Sequence, residues 1–212
     1  MVNSKAILLL SGGIDSTNLL AWLRNEGKEI YAISFDYGQK HKIELDYAIA
    51  NAKKFRVKEH RIIKIDNSLF KESNGLTNPL LKFNNSEKNA NPVVPARNTI
   101  FISFALSFAE TINCLEIYLA LNSDDSLNFK DCSKTFVTSI NSLIQVQSNL
   151  AIPPRVITPF IEMSKVEMIE LTKKLGISLE QTISCYEPLG NAECGVCLSC
   201  QLKLKAIEAA KI

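Results

Sequence analysis

The chain has 212 residues, of which 46% are hydrophobic, so it can bury a sizeable core, and one domain with a small appendage is expected. Its 24 basic and 22 acidic residues leave a net charge of +2, which argues against a protein that grips long nucleic acid. The apolar runs at 6–10 and 99–109 are too short for a signal peptide or a membrane span, so we expect a cytoplasmic protein with no membrane partner.

The first apolar run, residues 6–10, is typical of a short buried strand, and a glycine-rich turn ends it. A helical pattern follows from about Ser16 to Glu26, with Asp15, Ser16 and Thr17 as candidate N-caps. Two glycines allow close approach and positive φ, while the N–H groups of the turn and of the helix start favour an anion. The residues predicted to bind phosphate are Leu10, Ser11, Gly12, Gly13, Ile14, Asp15, Ser16 and Thr17.

This turn matches neither G-x-x-x-x-G-K-[ST] nor G-x-G-x-x-G, so it is neither a P-loop nor a dinucleotide loop. Its string Ser-Gly-Gly-Ile-Asp-Ser, residues 11–16, resembles the S-G-G-x-D-S signature of the PP-loop ATP pyrophosphatase superfamily. That resemblance implies that ATP binds here and that its pyrophosphate leaves when a substrate oxygen is adenylated. The alternative is a small-residue turn without a ligand.

The chain then alternates between strands and helices: a strand at 30–35, a helix and a strand at 61–65. The predicted inward face of the helix consists of Ile43, Leu45, Ala48, Ile49 and Ala52. This alternation predicts an α/β fold, a doubly wound, mostly parallel, Rossmann-like sheet with helices on both faces.

Residues 36–41 follow the second strand, so their polar side chains are predicted to face the site beside the first turn. His41 there is either a site residue or a solvated cap, and His60 is assigned to a turn with a structural role. A basic group is predicted to be a solvated helix end, with RNA contact as the alternative. Its members are Lys53, Lys54, Arg56, Lys58 and Arg61.

The asparagine-rich stretch 66–91 is predicted to be either a lid over the ATP site or disordered. A helix opens near 94–99, and Arg97 at its start suits a phosphate or carboxylate, a surface ion pair being the alternative. The residues predicted to form its buried face are Ile100, Phe101, Phe104, Ala105 and Phe108.

The later elements are a strand at 115–121, a polar loop at 122–130, a helix at 131–147 and a short strand at 156–159. The residues predicted to point inward from that helix are Phe136, Ile140, Leu143, Ile144 and Val146. A capping box, Ser164 with Glu167, starts a further helix, which ends at Leu175-Gly176.

Four cysteines, Cys185, Cys194, Cys197 and Cys200, lie in one short C-terminal segment. Without an export signal, we expect metal ligands or thiols and not disulfides. Four thiolates complete a tetrahedral structural zinc site, which we favour over an iron–sulfur cluster or a redox dithiol. Cys114 and Cys132 stand apart and are predicted to be core residues.

Together these segments resemble the 7-cyano-7-deazaguanine synthase family, a queuosine-pathway branch of the PP-loop superfamily, over nearly the whole chain. The matching motifs are Ser11–Ser16, Phe35–His41, Val94–Asn98, Thr158-Pro159 with Lys165, Thr182–Tyr186 and the Cys194, Cys197, Cys200 run.

The resemblance implies a ligase that converts 7-carboxy-7-deazaguanine and ammonia, with ATP, to the 7-cyano nitrile. It implies Mg²⁺ with the pyrophosphate, a structural Zn²⁺ and a homodimer without nucleic acid. The residues that we predict to be catalytic are Asp15, Ser16, Arg97 and Lys165, with Arg97 and Lys165 as candidates to bind the α-phosphate or the substrate carboxylate. We also predict an ATP-binding domain at 1–180 and a zinc segment at 181–212 packed on it.

Two departures from the family pattern stand out. Phe129-Lys130-Asp131-Cys132-Ser133-Lys134 occupies the place of a Tyr-Pro-Asp-Cys-Arg-like stretch, and Lys203 stands where the family commonly has arginine. Three alternatives therefore stay open: a PP-loop ligase for a different deazapurine or nucleobase acid, a tRNA-thiolating enzyme, or a non-catalytic nucleotide-binding zinc module.

Overall fold

A computed structural model of the chain describes residues 4–70, 74–81, 83 and 91–211. Its sheet contains five strands: β1 (Lys5–Leu9), β2 (Glu29–Asp36), β3 (Glu59–Lys64), β4 (Glu116–Tyr118) and β5 (Arg155–Ile157). The helices are α1 (Ile14–Asn25), α2 (Ile43–Lys54), α3 (Arg97–Ile112), α4 (Ser123–Asn128), α5 (Lys134–Gln147), α6 (Lys165–Lys174) and α7 (Leu198–Ala209).

All strand pairs are parallel, in the order β3-β2-β1-β4-β5, so the predicted doubly wound fold is confirmed. The central strand β1 pairs on both sides, with Ile7 opposite Tyr31 of β2 and Ile117 of β4. The chain leaves β1 towards β2 in one direction and later returns to build β4 and β5 in the other. This reversal opens a crevice at the carboxyl ends of the strands, which is where such sheets bind ligands.

Each face of the sheet has its own apolar core, because successive side chains of a strand point to opposite faces. Ile7 and Leu9 pack with residues of α3 and α5, whereas Ala6, Leu8 and Leu10 pack with residues of α1, α2 and α6. Parallel strands covered on both faces read as continuous apolar runs, which is why β1 was recognisable.

Several residues predicted to point inward do not. Ile49 is 45% exposed, Phe104 is 42% exposed, Leu143 is 54% exposed and Val146 is 82% exposed. Each helix buries a single stripe, so an apolar residue beside that stripe stays at its edge. The residues that do occupy the stripes include Ala48, Ala52, Ala105, Phe108, Ile140 and Ile144.

The predicted polar loop at 122–130 is wrong, since most of it is the helix α4. Asn122 starts this helix, and its side chain accepts a hydrogen bond from the Asp125 N–H at 2.9 Å. The helix predicted from 131 begins later, as α5 at Lys134, because the Ser133 hydroxyl accepts from the Phe136 N–H and caps it there.

Three further details differ from the predictions. The N-cap of α1 is Gly13, without a capping side chain, and not Asp15, Ser16 or Thr17. His60 lies inside β3 and not at a turn, and α7 had not been predicted. In contrast, the capping box of α6 and the positive-φ glycine after it are confirmed.

The predicted lid falls partly outside the described residues, which omit 71–73, 82 and 84–90. Within the rest of that stretch, Asn74 is fully buried, and its Oδ1 accepts from the N–H groups of Leu76 and Thr77. This asparagine builds a turn. Over the ranges given above, no helix has the length and apolar character that a membrane crossing needs.

Candidate active site and metal centre

The turn after β1 lies tightly against α2. Gly12 has φ +88°, and a Cβ added there would lie 2.2 Å from the Glu44 carbonyl oxygen and 2.8 Å from the Ala48 nitrogen. Both neighbours are backbone atoms, which have little freedom to move. Only glycine therefore fits this position without displacing α2.

Hydroxyl groups fix the shape of the turn from inside. Ser11 Oγ and Ser16 Oγ lie 3.0 Å apart, and Ser11 Oγ accepts from the Gly13 N–H at 3.2 Å. Ser16 Oγ also contacts the Gly13 carbonyl oxygen, at 3.1 Å. Because no side chain caps α1, the N–H groups of its first turn face the site with the positive end of the helix dipole.

A cluster of ionisable side chains adjoins this turn. Lys165 Nζ donates to Asp15 Oδ2 at 2.7 Å, and Asn122 Nδ2 bridges that same oxygen, at 3.2 Å, to Asp125 Oδ2, at 2.8 Å. Asp124 accepts from the Lys165 backbone N–H and fixes the start of α6. The cluster thus joins the segments that follow β1, β4 and β5.

The charged groups of this cluster shift one another's pKa values. Burial and then the Asp15 carboxylate raise the pKa of Asp125 to about 6. Burial opposes the charge of Lys165, but Asp15 and Asp125 outweigh it and raise the pKa of its ammonium. Lys165 therefore stays cationic at neutral pH, whereas the Asp125 carboxyl titrates close to neutral pH.

Arg97 is the first residue of α3, directly after Ala96, which has the strained φ of 51°. Its guanidinium donates to the Tyr37 hydroxyl. Burial opposes its charge, but Tyr37, Glu44 and Asp131 raise the pKa of Arg97, so it remains a cation. For Tyr37, burial raises the pKa, so its hydroxyl stays protonated.

These groups line one cavity of about 280 Å³ at the carboxyl edge of the sheet. Of the residues predicted to bind ATP, those on its wall are Leu10, Ser11, Gly13, Ile14, Asp15 and Ser16. Gly12 and Thr17 support the turn from behind, Gly12 against α2 and Thr17 by accepting from Asn51 Nδ2 at 3.3 Å. Arg97 and Lys165 share the cavity with the turn.

The segment after β2 divides in two. Tyr37 and His41 line the cavity, His41 with Nε2 3.3 Å from Glu44 Oε2. Asp36, in contrast, pairs with Lys42 outside the cavity, which corrects the prediction that all polar residues of 36–41 face the site. Gln39 is buried and bonds backbone atoms at the end of β2.

Sequence reasoning missed Asn122, Asp124, Asp125 and Tyr186. The first three come shortly after β4, which ends at Tyr118, so the rule that polar residues beyond strand ends face the site could have found them. Tyr186 follows no strand, and its sequence signal is its place at the end of the Thr182–Tyr186 motif. It reaches the cavity only through the fold of the C-terminal segment.

The sulfur atoms of Cys185, Cys194, Cys197 and Cys200 all lie within 4.8 Å of one another. Thiolates on one tetrahedral zinc ion are about 3.8 Å apart, and Cys194 Sγ and Cys200 Sγ are separated by 3.9 Å. Backbone N–H groups of Cys194 and Cys197 donate to Cys185 Sγ and Cys194 Sγ, each at 3.3 Å, and such bonds favour thiolates. The four residues form a possible metal site, and Cys114 and Cys132 are buried away from it.

Comparison with known structures supports the fold. The NMN synthetase from Francisella tularensis superposes with a TM-score of 0.54 at 14% identity, covering 99% of this chain and 78% of that one. The U34-tRNA thiolase NcsA from Methanococcus maripaludis, described with its [4Fe-4S] cluster, gives a TM-score of 0.53 at 16% identity. The match covers 99% of this chain and 72% of that one. At these identities the likeness concerns the fold alone.

The relatives found by sequence comparison are more similar to this chain than these solved structures are. A relative from Saccharophagus degradans, named 7-cyano-7-deazaguanine synthase, is 36% identical over all of this chain and 96% of its own length. A relative of the same name from Acaryochloris marina is 39% identical, over 95% of this chain and 93% of its own length. The model of the queuosine biosynthesis protein QueC family matches residues 5–211. The chain therefore belongs to the QueC family of enzymes, as its motifs indicated.

Proposed function

We propose that the chain is an ATP-dependent carbon–nitrogen ligase that converts 7-carboxy-7-deazaguanine and ammonia to 7-cyano-7-deazaguanine. One observation carries the proposal: the Ser11–Thr17 turn, Arg97 and Lys165 meet in a single cavity although they are far apart in sequence. That cavity combines N–H donors and two cations, as a reaction that makes and releases pyrophosphate requires. The names of the relatives support the same reaction.

The chemistry proceeds in two activations. The substrate carboxylate attacks the α-phosphorus of ATP, pyrophosphate leaves, and an acyl adenylate forms. Ammonia displaces AMP to give the amide and releases a proton. The amide oxygen then attacks a second ATP, pyrophosphate leaves again, and loss of AMP and a proton gives the nitrile. Each AMP keeps one oxygen of the original carboxylate.

The geometry supports a role for each of these residues. The Ser11–Thr17 turn binds the pyrophosphate of ATP through its N–H groups and the hydroxyls of Ser11 and Ser16. Arg97 and Lys165 bind the α-phosphate or the substrate carboxylate, and Arg97 can hold either through two parallel hydrogen bonds. Asp15 holds Lys165 in place.

The acidic residues suit Mg²⁺ bound with the pyrophosphate. Asp15 Oδ1 is a buried oxygen without a hydrogen-bond partner among residues 4–70, 74–81, 83 and 91–211. Asp125 contributes a second carboxylate to the same cavity. Carboxylate oxygens are the ligands that Mg²⁺ prefers, and the ion would screen the charge of the phosphates.

The cysteine cluster suits a single Zn²⁺ held by Cys185, Cys194, Cys197 and Cys200, with a structural role. A cube of four irons would hold its ligand sulfurs farther apart than the 4.8 Å span seen here. The metal would stabilise a C-terminal segment, 181–212, packed on an ATP-binding domain, 1–180. We expect a cytoplasmic homodimer that uses free ammonia.

A tRNA-thiolating reaction is disfavoured, because it needs a nucleophilic thiolate near ATP. Cys132 and Cys185 line the cavity, and Cys185 belongs to the cysteine cluster. Burial, with the neighbouring Asp125 and Asp131 carboxylates, raises the pKa of Cys132 to about 12. The net charge of +2 also supports a small substrate and no nucleic acid.

The test is mass spectrometry of products after incubation with ATP, ammonium and 7-carboxy-7-deazaguanine labelled with ¹⁸O in its carboxylate. We expect the nitrile, two AMP per nitrile and one ¹⁸O in each AMP. Nitrile formation with unlabelled AMP would refute the adenylate route, and ATP binding without product would favour the non-catalytic module.

Substrate specificity needs a separate comparison, because Phe129 and Cys132 of the altered 129–134 segment line the cavity. Competing 7-carboxy-7-deazaguanine against other nucleobase carboxylic acids in the same assay ranks them by kcat/KM. We expect the deazaguanine acid to rank first. A higher rank for another acid would support the alternative of a related ligase.

A further inference from the structure

The segment Ile183–Tyr186 lies between the nucleotide turn and the cysteine cluster. At one end, the Ile183 N–H donates to the Gly12 carbonyl oxygen at 3.3 Å. The Ile183 carbonyl oxygen lies 3.5 Å from the position of a Cβ on Gly13. This end therefore rests directly on the turn assigned to ATP.

The other end of the segment is held by the cysteines. Cys185 is a member of the cluster, and the Tyr186 N–H donates to Cys197 Sγ. Between the two ends, Cys200 Sγ lies 3.8 Å from the Ser184 carbonyl oxygen. Three of the four sulfur-bearing residues thus fix four consecutive residues of backbone.

A partly buried ion pair contacts the middle of the segment. The Ser184 N–H donates to Glu193 Oε1 at 2.6 Å, and Lys203 Nζ lies 2.9 and 3.0 Å from the two oxygens of Glu193. Lys203 is only 8% exposed, so it connects α7 to Glu193 within the protein. Removing Lys203 leaves Glu193 without its cationic partner, and Glu193 is the residue that accepts from the Ser184 N–H.

The side chains of the same segment form a wall of the cavity. Tyr186 lines the cavity together with Arg97 and Asp125. Its ring centroid is 5.1 Å from that of Phe83 and 6.5 Å from that of His41. A shift of the segment would therefore move both the ATP turn and the opposite wall.

We propose that the cysteine cluster positions the 183–186 wall of the ligand cavity, so that metal binding and ATP binding strengthen each other, with Glu193 and Lys203 as positioning residues. This inference rests on the proposed binding of ATP at the Ser11–Thr17 turn. Because coupling between two binding sites is reciprocal, ATP stabilises the bound metal by the same factor by which the metal improves ATP affinity.

The test uses the intact zinc-loaded chain. Zinc transfer to a colorimetric chelator is followed with and without saturating ATP, and ATP affinity is measured by calorimetry before and after zinc removal. We expect ATP to slow zinc release and zinc removal to weaken ATP binding, each about tenfold; the two factors need not be equal, because reciprocity applies to affinities and not to rates. The release measurement needs no folded metal-free protein.

Three variants identify the connection. Lys203→Met should reduce the effect of ATP on zinc release several-fold, Lys203→Arg should preserve it, and Lys205→Met, on the exposed side of α7, should leave it unchanged. Tight ATP binding with no effect on zinc release would overturn the inference and leave the proposed function intact. Absence of ATP binding would overturn both.

Discussion

The site depends on a few residues whose charges compensate one another. Asp15 shares its Oδ2 between Lys165 and Asn122, and the same asparagine holds Asp125. A carboxylate beside Lys165 keeps that lysine charged and oriented in a partly buried place. These contacts hold the charged groups in fixed relative positions, which reduces the cost of ordering the site during catalysis.

Replacing Arg97 by lysine keeps the positive charge but removes the planar fork that holds two oxygens at once. We expect Arg97→Lys to lower kcat/KM by about 100-fold, the scale of losing one donor to a developing oxyanion. The rate of pyrophosphate release at varied substrate concentration measures kcat/KM. The matched control is Arg155→Lys, since Arg155 is exposed at the far end of the sheet in β5, and it should keep full activity. Equal activity of the two variants would remove Arg97 from the site.

Asp125 should make stability depend on pH. Burial and the Asp15 carboxylate raise its pKa from 3.8 to about 6, so the folded chain favours the protonated form. The stability from this group is therefore complete below pH 3.8 and is lost as pH rises towards about 6. Asp125→Asn cannot ionise, so it should gain about 2 to 3 kcal/mol over the original chain above that range and nothing below it.

Urea unfolding at about pH 4 and about pH 8 measures the difference for Asp125→Asn. Asparagine keeps an oxygen that can accept from Asn122, so that hydrogen bond is retained. Asp46→Asn, an exposed carboxylate on α2, should give no pH-dependent gain. A gain for Asp125→Asn that is the same at both pH values would contradict the assignment.

At the scale of whole elements, contact between the nucleotide turn and α2 is the constraint most open to test. Gly12→Ala would place a methyl group 2.2 Å from the Glu44 carbonyl oxygen at a φ of +88°, so α2 or the turn has to move. Overpacking and the left-handed backbone together should cost about 3 kcal/mol. Gly176→Ala is the control, because its φ is also positive but nothing lies within 4 Å, and it should cost about 1 kcal/mol. Chemical unfolding measures the free energy of unfolding of both variants. Equal losses would mean that the turn does not pack tightly against α2.

The sequence predicted those elements whose own pattern determines them. β1 and β2 are covered on both faces and therefore appear as apolar runs, and the α6 capping box is a local signal. The helix α4 was missed because it is short and buries none of its side chains, so no apolar period marks it. Its position depends on Asn122 and on the end of β4.

The same contrast holds for the site. The nucleotide turn carries its chemistry in six consecutive residues, and the cysteines are recognisable by spacing alone. Tyr186, in contrast, is brought into position by contacts with distant segments that contain His41 and Phe83. Such long-range placement leaves no periodic trace in a single sequence.

For the whole molecule, the six cysteines offer a test of its organisation. Cys185, Cys194, Cys197 and Cys200 form the possible metal site, whereas Cys114 and Cys132 are buried within the main body of the fold. Burial raises the pKa of both Cys114 and Cys132, which keeps them as unreactive thiols. If residues 181–212 form a separately stabilised segment, the two groups should become accessible in different steps.

We expect a thiol reagent at neutral pH to react slowly with the metal-loaded chain and, after a chelator is added, to modify four thiols quickly. The remaining two should react only when denaturant unfolds the main body, because their exposure requires global opening. Far-ultraviolet circular dichroism should meanwhile show the loss of no more than α7. A chain with serine at all four cluster positions should retain only the slow pair. Simultaneous reaction of all six thiols after chelation would mean that the C-terminal segment and the sheet unfold as one cooperative unit, and the proposed division at residue 180 would then be wrong.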